Sequence, residues 1–277
     1  MSLKNLNAIK IPKSLISKLS NKRINNLFKI FEKNFKIKES FAVAVSGGPD
    51  SLALAFLTKV FSIKYNLRSK YFIIDHKLRK ESTSEAKKVK MTLSEIGIKA
   101  ELLTWNGNKP TSNIQSLARK KRYDLLFSKC KSLKITNLVI GHHLDDLFEN
   151  FFIRMIRGSG LKGLTSFEKK TTIDSINLIR PLMDLEKKNL EFISNHVFNF
   201  FINDPSNQNI NFLRIKVRKI ISEFKKSGLD KDKLFLTLKN LKSSNNALKY
   251  YTENNIKLNF FLDKKNKKLI MNETFFK

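Results

Sequence analysis

The chain has 277 residues, enough for one large domain or for a full domain with a smaller one beside it. Hydrophobic residues make up 41% of it, ample for a packed core, and no apolar run reaches the ~18 residues of a membrane span, so a soluble protein with no membrane partner is expected. Lys and Arg number 54 against 24 acids, a formal net charge of +30, and a surface this positive attracts polyanions and repels its own copies. Nucleic acid or an anionic membrane is therefore the natural partner, and nucleic acid is the expected one. Lys, Asn, Ile and Phe are all abundant, as in chains encoded by AT-rich genomes, so part of the Lys excess reflects codon bias. The single cysteine, Cys130, excludes an internal disulfide and a zinc site built on several thiolates.

In chain order, residues 1–31 contain no acid. They read as an exposed basic helix anchored by Leu15, Leu19, Leu27 and Phe31, in preference to an organellar transit peptide. From residue 41 the pattern is strand, turn, helix, repeated. Phe41–Val45 is a buried strand, Ser46–Ser51 a turn and Leu52–Phe61 a helix; Tyr71–Asp75 is a second strand. Ser82 and Glu85 have capping-box spacing at the start of a helix that Gly97 ends. Ile98–Thr104 is a third strand, and Ser112 with Gln115 predicts a second capping box on a helix running to Ser132. Leu138–Gly141 is a fourth strand, followed by a helix from His143 to Ile156.

Strands alternating with helices predict an α/β fold with a doubly wound, mainly parallel sheet, followed here by a small helical C-terminal region. Beyond Leu182 the strand pattern fades: Leu185–Phe201 is helical, 203–207 is a turn, and helix resumes at Arg214–Phe224 and from about Gly228 to Asn255. The expected organisation is a basic helical segment at 1–38, a nucleotide-binding catalytic domain at 39–215 and a reduced helical domain at 216–277. Ligands of such sheets bind beyond the carboxyl ends of the strands, which directs attention to the loops after Val45, Asp75 and Ile140.

Three segments carry chemistry. Ser46-Gly47-Gly48-Pro49-Asp50-Ser51 follows a strand and opens a helix. Its glycines let the backbone approach a ligand, the helix start offers amides and a positive dipole end to phosphate, and Asp50 suits a divalent cation. The lysine of a Walker A loop is missing. In Gly141–Asn150, helical spacing would stack His142, Asp146 and Glu149 on one face with Asp145 beside them. Helix capping, metal binding and a pocket for a cationic amino substrate all fit that cluster. Arg157–Leu164 is a basic, glycine-rich turn, either a simple helix end or a backbone that approaches phosphates.

Taken in order, SGGPDS (Ser46–Ser51), IDHKLR (Ile74–Arg79), NIQSLARKKRY (Asn113–Tyr123), the block Gly141–Leu164, RPL (Arg180–Leu182), DPSN (Asp204–Asn207) and RIKVR (Arg214–Arg218) resemble the tRNA(Ile)-lysidine synthetase family of PP-loop ATP pyrophosphatases across residues 40–220. The resemblance implies a Rossmann-like fold and a ligase that uses ATP and Mg²⁺. It implies adenylation of the carbonyl oxygen on carbon 2 of the wobble cytidine in a CAU-anticodon isoleucine tRNA, then attack on that carbon by the ε-amine of free lysine. By residue, it implies ATP at Ser46–Ser51 with Mg²⁺ at Asp50, and lysine at Asp146 and Glu149. His142 would orient the cluster or the base, Arg122 would stabilise the activated base, and Arg154, Arg157, Arg214, Lys216 and Arg218 would contact tRNA.

Departures from the family pattern are Asn150, where Thr is common, and Arg214-Ile215-Lys216, where Arg-Asn-Arg is usual. Longer members carry two C-terminal domains; one reduced helical domain is expected past Phe224. A bacterial cytoplasmic setting fits, with the plastid stroma as the alternative and a homodimer as a compatible assembly. Three rivals are weaker. Ammonia transfer of the NAD-synthetase kind is poorly matched to a charge of +30, and thiolases need more cysteines than Cys130 alone. A tRNA binder that has lost its chemistry is hard to square with an intact SGGPDS together with Asp146 and Glu149.

Overall fold

The computed structural model describes residues 12–107, 114–203, 213–263 and 265–273. The features expected at 112–113 and 203–207 fall at or outside these limits; only Asn203 of the second is described.

Two helices come first, α1 (Lys13–Leu19) and α2 (Lys22–Asn34). The Asn21 side chain caps α2 by accepting from the backbone N–H groups of Arg23 and Ile24. Leu15, Leu19, Leu27 and Phe31 are all buried and belong to the main core. Phe31, Phe35, Phe41 and Phe61 meet there largely edge to face, the arrangement that aromatic quadrupoles favour. The described part of the acid-free segment, from residue 12 on, is therefore part of the sheet's helical layer and not a separate arm.

Next come β1 (Phe41–Val45), α3 (Pro49–Lys64), β2 (Ser69–Asp75), α4 (Ser82–Glu95), β3 (Ala100–Thr104), α5 (Ile114–Ser132), β4 (Asn137–Val139) and α6 (Leu144–Ile156). A single turn, α7 (Leu161–Leu164), leads to β5 (Lys170–Ile173) and β6 (Ile176–Ile179), then α8 (Lys187–Phe198), α9 (Leu213–Lys226), α10 (Lys231–Asn259) and a hairpin of β7 (Phe260–Asp263) with β8 (Lys268–Met271). The main sheet has the order β3-β2-β1-β4-β6-β5, parallel throughout except at the edge pair β5–β6. Strand alternation sorts β1 between two cores. Phe41, Val43 and Val45 join the layer that includes residues of α1–α4 and α8, while Ala42 joins Leu126, Phe127 and Cys130 of α5 on the other face.

Winding runs outward from β1 through β2 to β3, then resumes on the other side of β1 with β4. The strand order thus reverses between β1 and β4, and their carboxyl ends flank the crevice where such sheets take ligands.

One expectation is corrected. Ser82 and Glu85 form no capping box: the cap residue of α4 is Glu81, without a side-chain cap bond. Ser82 Oγ instead donates to Asp75 Oδ1 at 2.8 Å, and Glu85 pairs with Arg79 at 2.8 Å. A buried carboxylate makes the stronger demand on the hydroxyl. Two strand pairs also escaped the sequence reading. In β5–β6 the turn is Asp174-Ser175, both at positive φ (47° and 68°), without the Asn-Gly or Asp-Gly signature of such turns. In β7–β8 nearly every residue is exposed, so no inward–outward alternation marks the strands.

The chain divides into two compact units, Met1–Leu147 with Glu168–Asn209, and Phe148–Phe167 with Ile210–Lys277. The division expected at residues 38 and 215 differs from this in two ways. The first helices belong to the sheet unit, and 148–167 groups with the C-terminal helices because the turn α7 packs against α10. Among the described residues no helix is long and apolar enough to cross a membrane.

Candidate active site

The loop after β1 is built around one hydroxyl. Ser51 Oγ accepts from the backbone N–H groups of Ser46 and Gly47, each at 3.1 Å, and donates to the carbonyl of Gly48 at 3.0 Å. Gly47 sits at φ +87°, and a Cβ there would lie 2.5 Å from Val89 Cγ2 and 2.8 Å from Ile202 Cδ1; both conformation and packing require glycine. Gly48 caps α3 and Pro49 occupies its first turn, where a missing N–H costs nothing. Ser194 Oγ of α8 donates to the Pro49 carbonyl at 2.6 Å and fixes the loop from behind. The result is a rigid helix N-terminus aimed from the carboxyl edge of the sheet, a site suited to phosphate.

The loop after β4 meets it closely. A Cβ on Gly141 would come within 3.3 Å of Ser51 N and 3.4 Å of Asp50 C, so glycine keeps the two loops in contact. Buried His143 lies among three carboxylates: Nε2 is 3.5 Å from both Asp50 Oδ2 and Asp146 Oδ2, and Nδ1 is 3.7 Å from Asp145 Oδ2. Burial opposes its charge, but Asp50, Asp146 and Asp145 together outweigh burial and raise its pKa. Asp146 Oδ2 also accepts from the His143 backbone N–H at 3.0 Å, the N3 half of a capping box on α6. Asp145 Oδ2 accepts from the Lys187 N–H at 3.0 Å at the start of α8.

His143 was not among the residues singled out from the sequence; His142 was. The stack of His142, Asp146 and Glu149 presumed that all three are helical, but α6 begins at Leu144. His142 lies ahead of it, its Nδ1 accepting from Arg180 Nε at 3.1 Å. Buried Arg180 also donates to the Glu168 carbonyl and to Thr171 Oγ1. The adjacent histidine pair was the available signal: residues in the extended segment before a helix alternate in direction, so one of the two had to turn toward the loop after β1. Arg122, on α5, donates through Nε to His76 Nε2 at 3.4 Å beside the end of β2. His76 was likewise visible only as part of a longer motif.

In the second unit, buried Glu149 accepts from Arg214 Nε, and from Arg218 Nε at 2.6 Å and Nη2 at 3.4 Å. These contacts tie α9 to α6, supported by the Phe152–Phe224 ring contact. Of the other basic residues expected to contact tRNA, Lys216 and Arg157 are exposed, and half-buried Arg154 keeps a buried Nε without a hydrogen-bond partner among the described residues.

Nucleotide phosphates and a divalent cation fit this chemistry. Asp50 Oδ1 is buried without a hydrogen-bond partner among the described residues, and Mg²⁺ binds typically through one or two carboxylates together with substrate phosphates. Among the described residues no group of three or more His, Cys, Asp or Glu side chains forms a metal site. Cys130 is buried in the α5 core, and burial pushes its thiol up to about 11, so it offers no thiolate near pH 7.

A phosphate-ready loop at the strand-order reversal, facing a carboxylate–imidazole cluster, defines an ATP-using α/β domain. A family model described as a PP-loop domain matches residues 17–224, and the chain belongs to that family. A tRNA(Ile)-lysidine synthase of Orientia tsutsugamushi (strain Boryong) is 42% identical over 194 residues, covering 70% of this chain and 43% of that protein. One from Bradyrhizobium diazoefficiens is 33% identical over 220 residues, 79% of this chain and 61% of that protein. The chain spans about half the length of the curated relatives it matches. Among solved structures, a U34-tRNA thiolase from Methanococcus maripaludis shares the fold with a TM-score of 0.67 at 18% identity, over 80% of this chain and 78% of that one.

Proposed function

We propose that the protein joins the ε-amine of lysine to carbon 2 of the wobble cytidine in a CAU-anticodon isoleucine tRNA, at the expense of ATP. The observation that carries this reading is the Asp50–His143–Asp146 cluster linking the phosphate-binding loop to the start of α6, together with relatives named for that product. Ser46–Ser51 would cradle the triphosphate, and Asp50 Oδ1 would hold Mg²⁺, which when bound neutralises phosphate charge. The carbonyl oxygen on carbon 2 attacks the α-phosphorus and pyrophosphate leaves. The lysine amine then attacks carbon 2, AMP leaves, and a carboxylate takes the amine proton.

Each assigned residue has a task in this reading. Asp146 pairs with the substrate ammonium. Glu149, already accepting from two guanidinium groups, contributes by holding Arg214 and Arg218 in place for the RNA backbone. Arg122 stabilises the adenylated base, and His142, oriented by Arg180, positions it. Lys216, Arg154 and Arg157 supply further phosphate contacts. The work belongs where tRNAs mature, which in bacteria such as the relatives' hosts is the cytoplasm.

Exchange of labelled pyrophosphate into ATP tests the first step. Exchange that needs the CAU-anticodon tRNA and vanishes in Asp50→Ala is the expected result. A protein that retains the tRNA without any exchange would be a binder and would refute the ligase reading. Thiolase chemistry is disfavoured by the inert setting of Cys130, the single cysteine of the sequence.

A further inference from the structure

His76 and Arg122 form a paired donor group that the reading above leaves partly idle. β2 ends at Asp75 and pairs with β1, so His76 leaves the sheet at its ligand-binding edge, one strand spacing (~4.8 Å) from the strand that feeds the phosphate loop. The segment is firmly held. Asp75 accepts from the Lys77 N–H at 2.9 Å, Ser82 Oγ at 2.8 Å and Thr83 Oγ1 at 2.6 Å. Its backbone carbonyl accepts from the Trp105 N–H at 2.9 Å, and the Trp105 ring meets the His76 ring edge-on, centroids 6.5 Å apart.

The tautomer of His76 follows from its partner. An arginine can only donate, so the Nε2 that receives Arg122 Nε–H carries the lone pair, and the proton of the neutral ring sits on Nδ1. Burial first, and then the charge of Arg122, push the ring's pKa down to about 4, against a smaller opposing effect of Asp75; near pH 7 the ring is neutral. Nδ1 is nevertheless buried with no hydrogen-bond partner among the described residues. A buried donor left unmet is costly, and the Asp75 carboxylate beside it is engaged by three other donors. His76 as a whole is half-buried.

We propose that the His76 Nδ1–H is a substrate-reading donor that hydrogen bonds an oxygen atom of the reacting substrates, with the Arg122 guanidinium beside it balancing that oxygen's negative charge. A neutral N–H next to a fixed cation is the arrangement that stabilises charge developing on oxygen. The inference rests on the proposed function for the two sources of that oxygen: a phosphate of ATP, or the carbonyl of the target base.

The test separates the two ring nitrogens. Asn at position 76 puts an amide N–H where Nδ1 sits, whereas Gln places its amide at Nε2. ATP and CAU-anticodon tRNA are each titrated alone against wild type, His76→Asn and His76→Gln, with melting midpoints recorded. His76→Gln is expected to weaken one of the two ligands on the order of tenfold, while His76→Asn binds within about threefold of wild type and both melt alike. The ligand affected identifies the oxygen's source. Equal loss in both variants, or no loss in either, overturns the proposal. Because binding needs no turnover, failure here is distinct from failure of the ligase reading, which the exchange assay decides.

Discussion

Single side chains carry two of the sharper expectations. Glu149 is buried, whereas the side chains of Arg214 and Arg218 are 39% and 34% exposed. Glu149→Gln strands two guanidinium groups beside a neutral amide. Partial solvation of the arginines softens the loss to about 1–3 kcal/mol, below that of a fully buried pair. The expected outcome is a lower melting midpoint together with weaker tRNA binding, and unchanged ATP affinity. Loss of lysine affinity with stability unchanged would instead return Glu149 to direct substrate binding.

His76 contributes a pH signature whose sign is fixed. Its folded pKa lies near 4, below the ordinary histidine value of 6.5, so at intermediate pH the unfolded chain takes up the proton more readily than the folded one. Stability attributable to this ring is full above about pH 6.5 and falls as pH drops toward 4. His143, with a raised pKa, acts oppositely: its contribution is full below 6.5 and is lost as pH rises through its folded value. Denaturant titrations between pH 4 and 6.5 should show an acid loss in wild type that is smaller in His76→Asn. An identical pH slope in both would show that the ring is not held neutral.

At the scale of elements, the site is two loops in contact, and glycine decides whether they can touch. Gly141→Ala drives a Cβ to 3.3 Å from Ser51 N, so the variant should stay folded and lose ATP affinity severalfold as the loops separate. Gly47→Ala adds strain at positive φ to a clash with Val89 and should cost stability as well. Calorimetric titration with ATP and a thermal melt distinguish the two variants. The same elements show what a sequence can disclose. β1 coincides with the apolar run Phe41–Val45, and the helix after it is announced by its glycines and proline, because burial and local backbone chemistry act at short range. What was hidden depends on partners outside the residue's own helix or strand. Ser82 abandons its cap for Asp75, His142 is claimed by Arg180, and Glu149 by arginines 65 and 69 positions away. The exposed strands β7 and β8 leave no pattern of burial to read.

Over the whole molecule, charge governs how a large polyanion is met. With a net +30, tRNA affinity should fall steeply with salt, and the slope of log K against log salt should drop by ~0.7–0.9 for each phosphate contact removed. Lys216→Ala and Arg157→Ala, both at exposed positions, are expected to lower the slope without altering ATP binding. A slope unchanged in both would remove these residues from the RNA interface. The core is indifferent to this charge: the sheet unit buries its apolar residues on both faces of β1.

The most direct test is incorporation of labelled lysine into a CAU-anticodon isoleucine tRNA transcript with ATP and Mg²⁺. Label is expected in the tRNA with wild-type protein, lost with Asp50→Ala and strongly reduced with Asp146→Asn. Folded protein that binds the transcript and ATP yet transfers no lysine would contradict the proposed reaction, leaving a PP-loop domain that acts on another base or with another nucleophile.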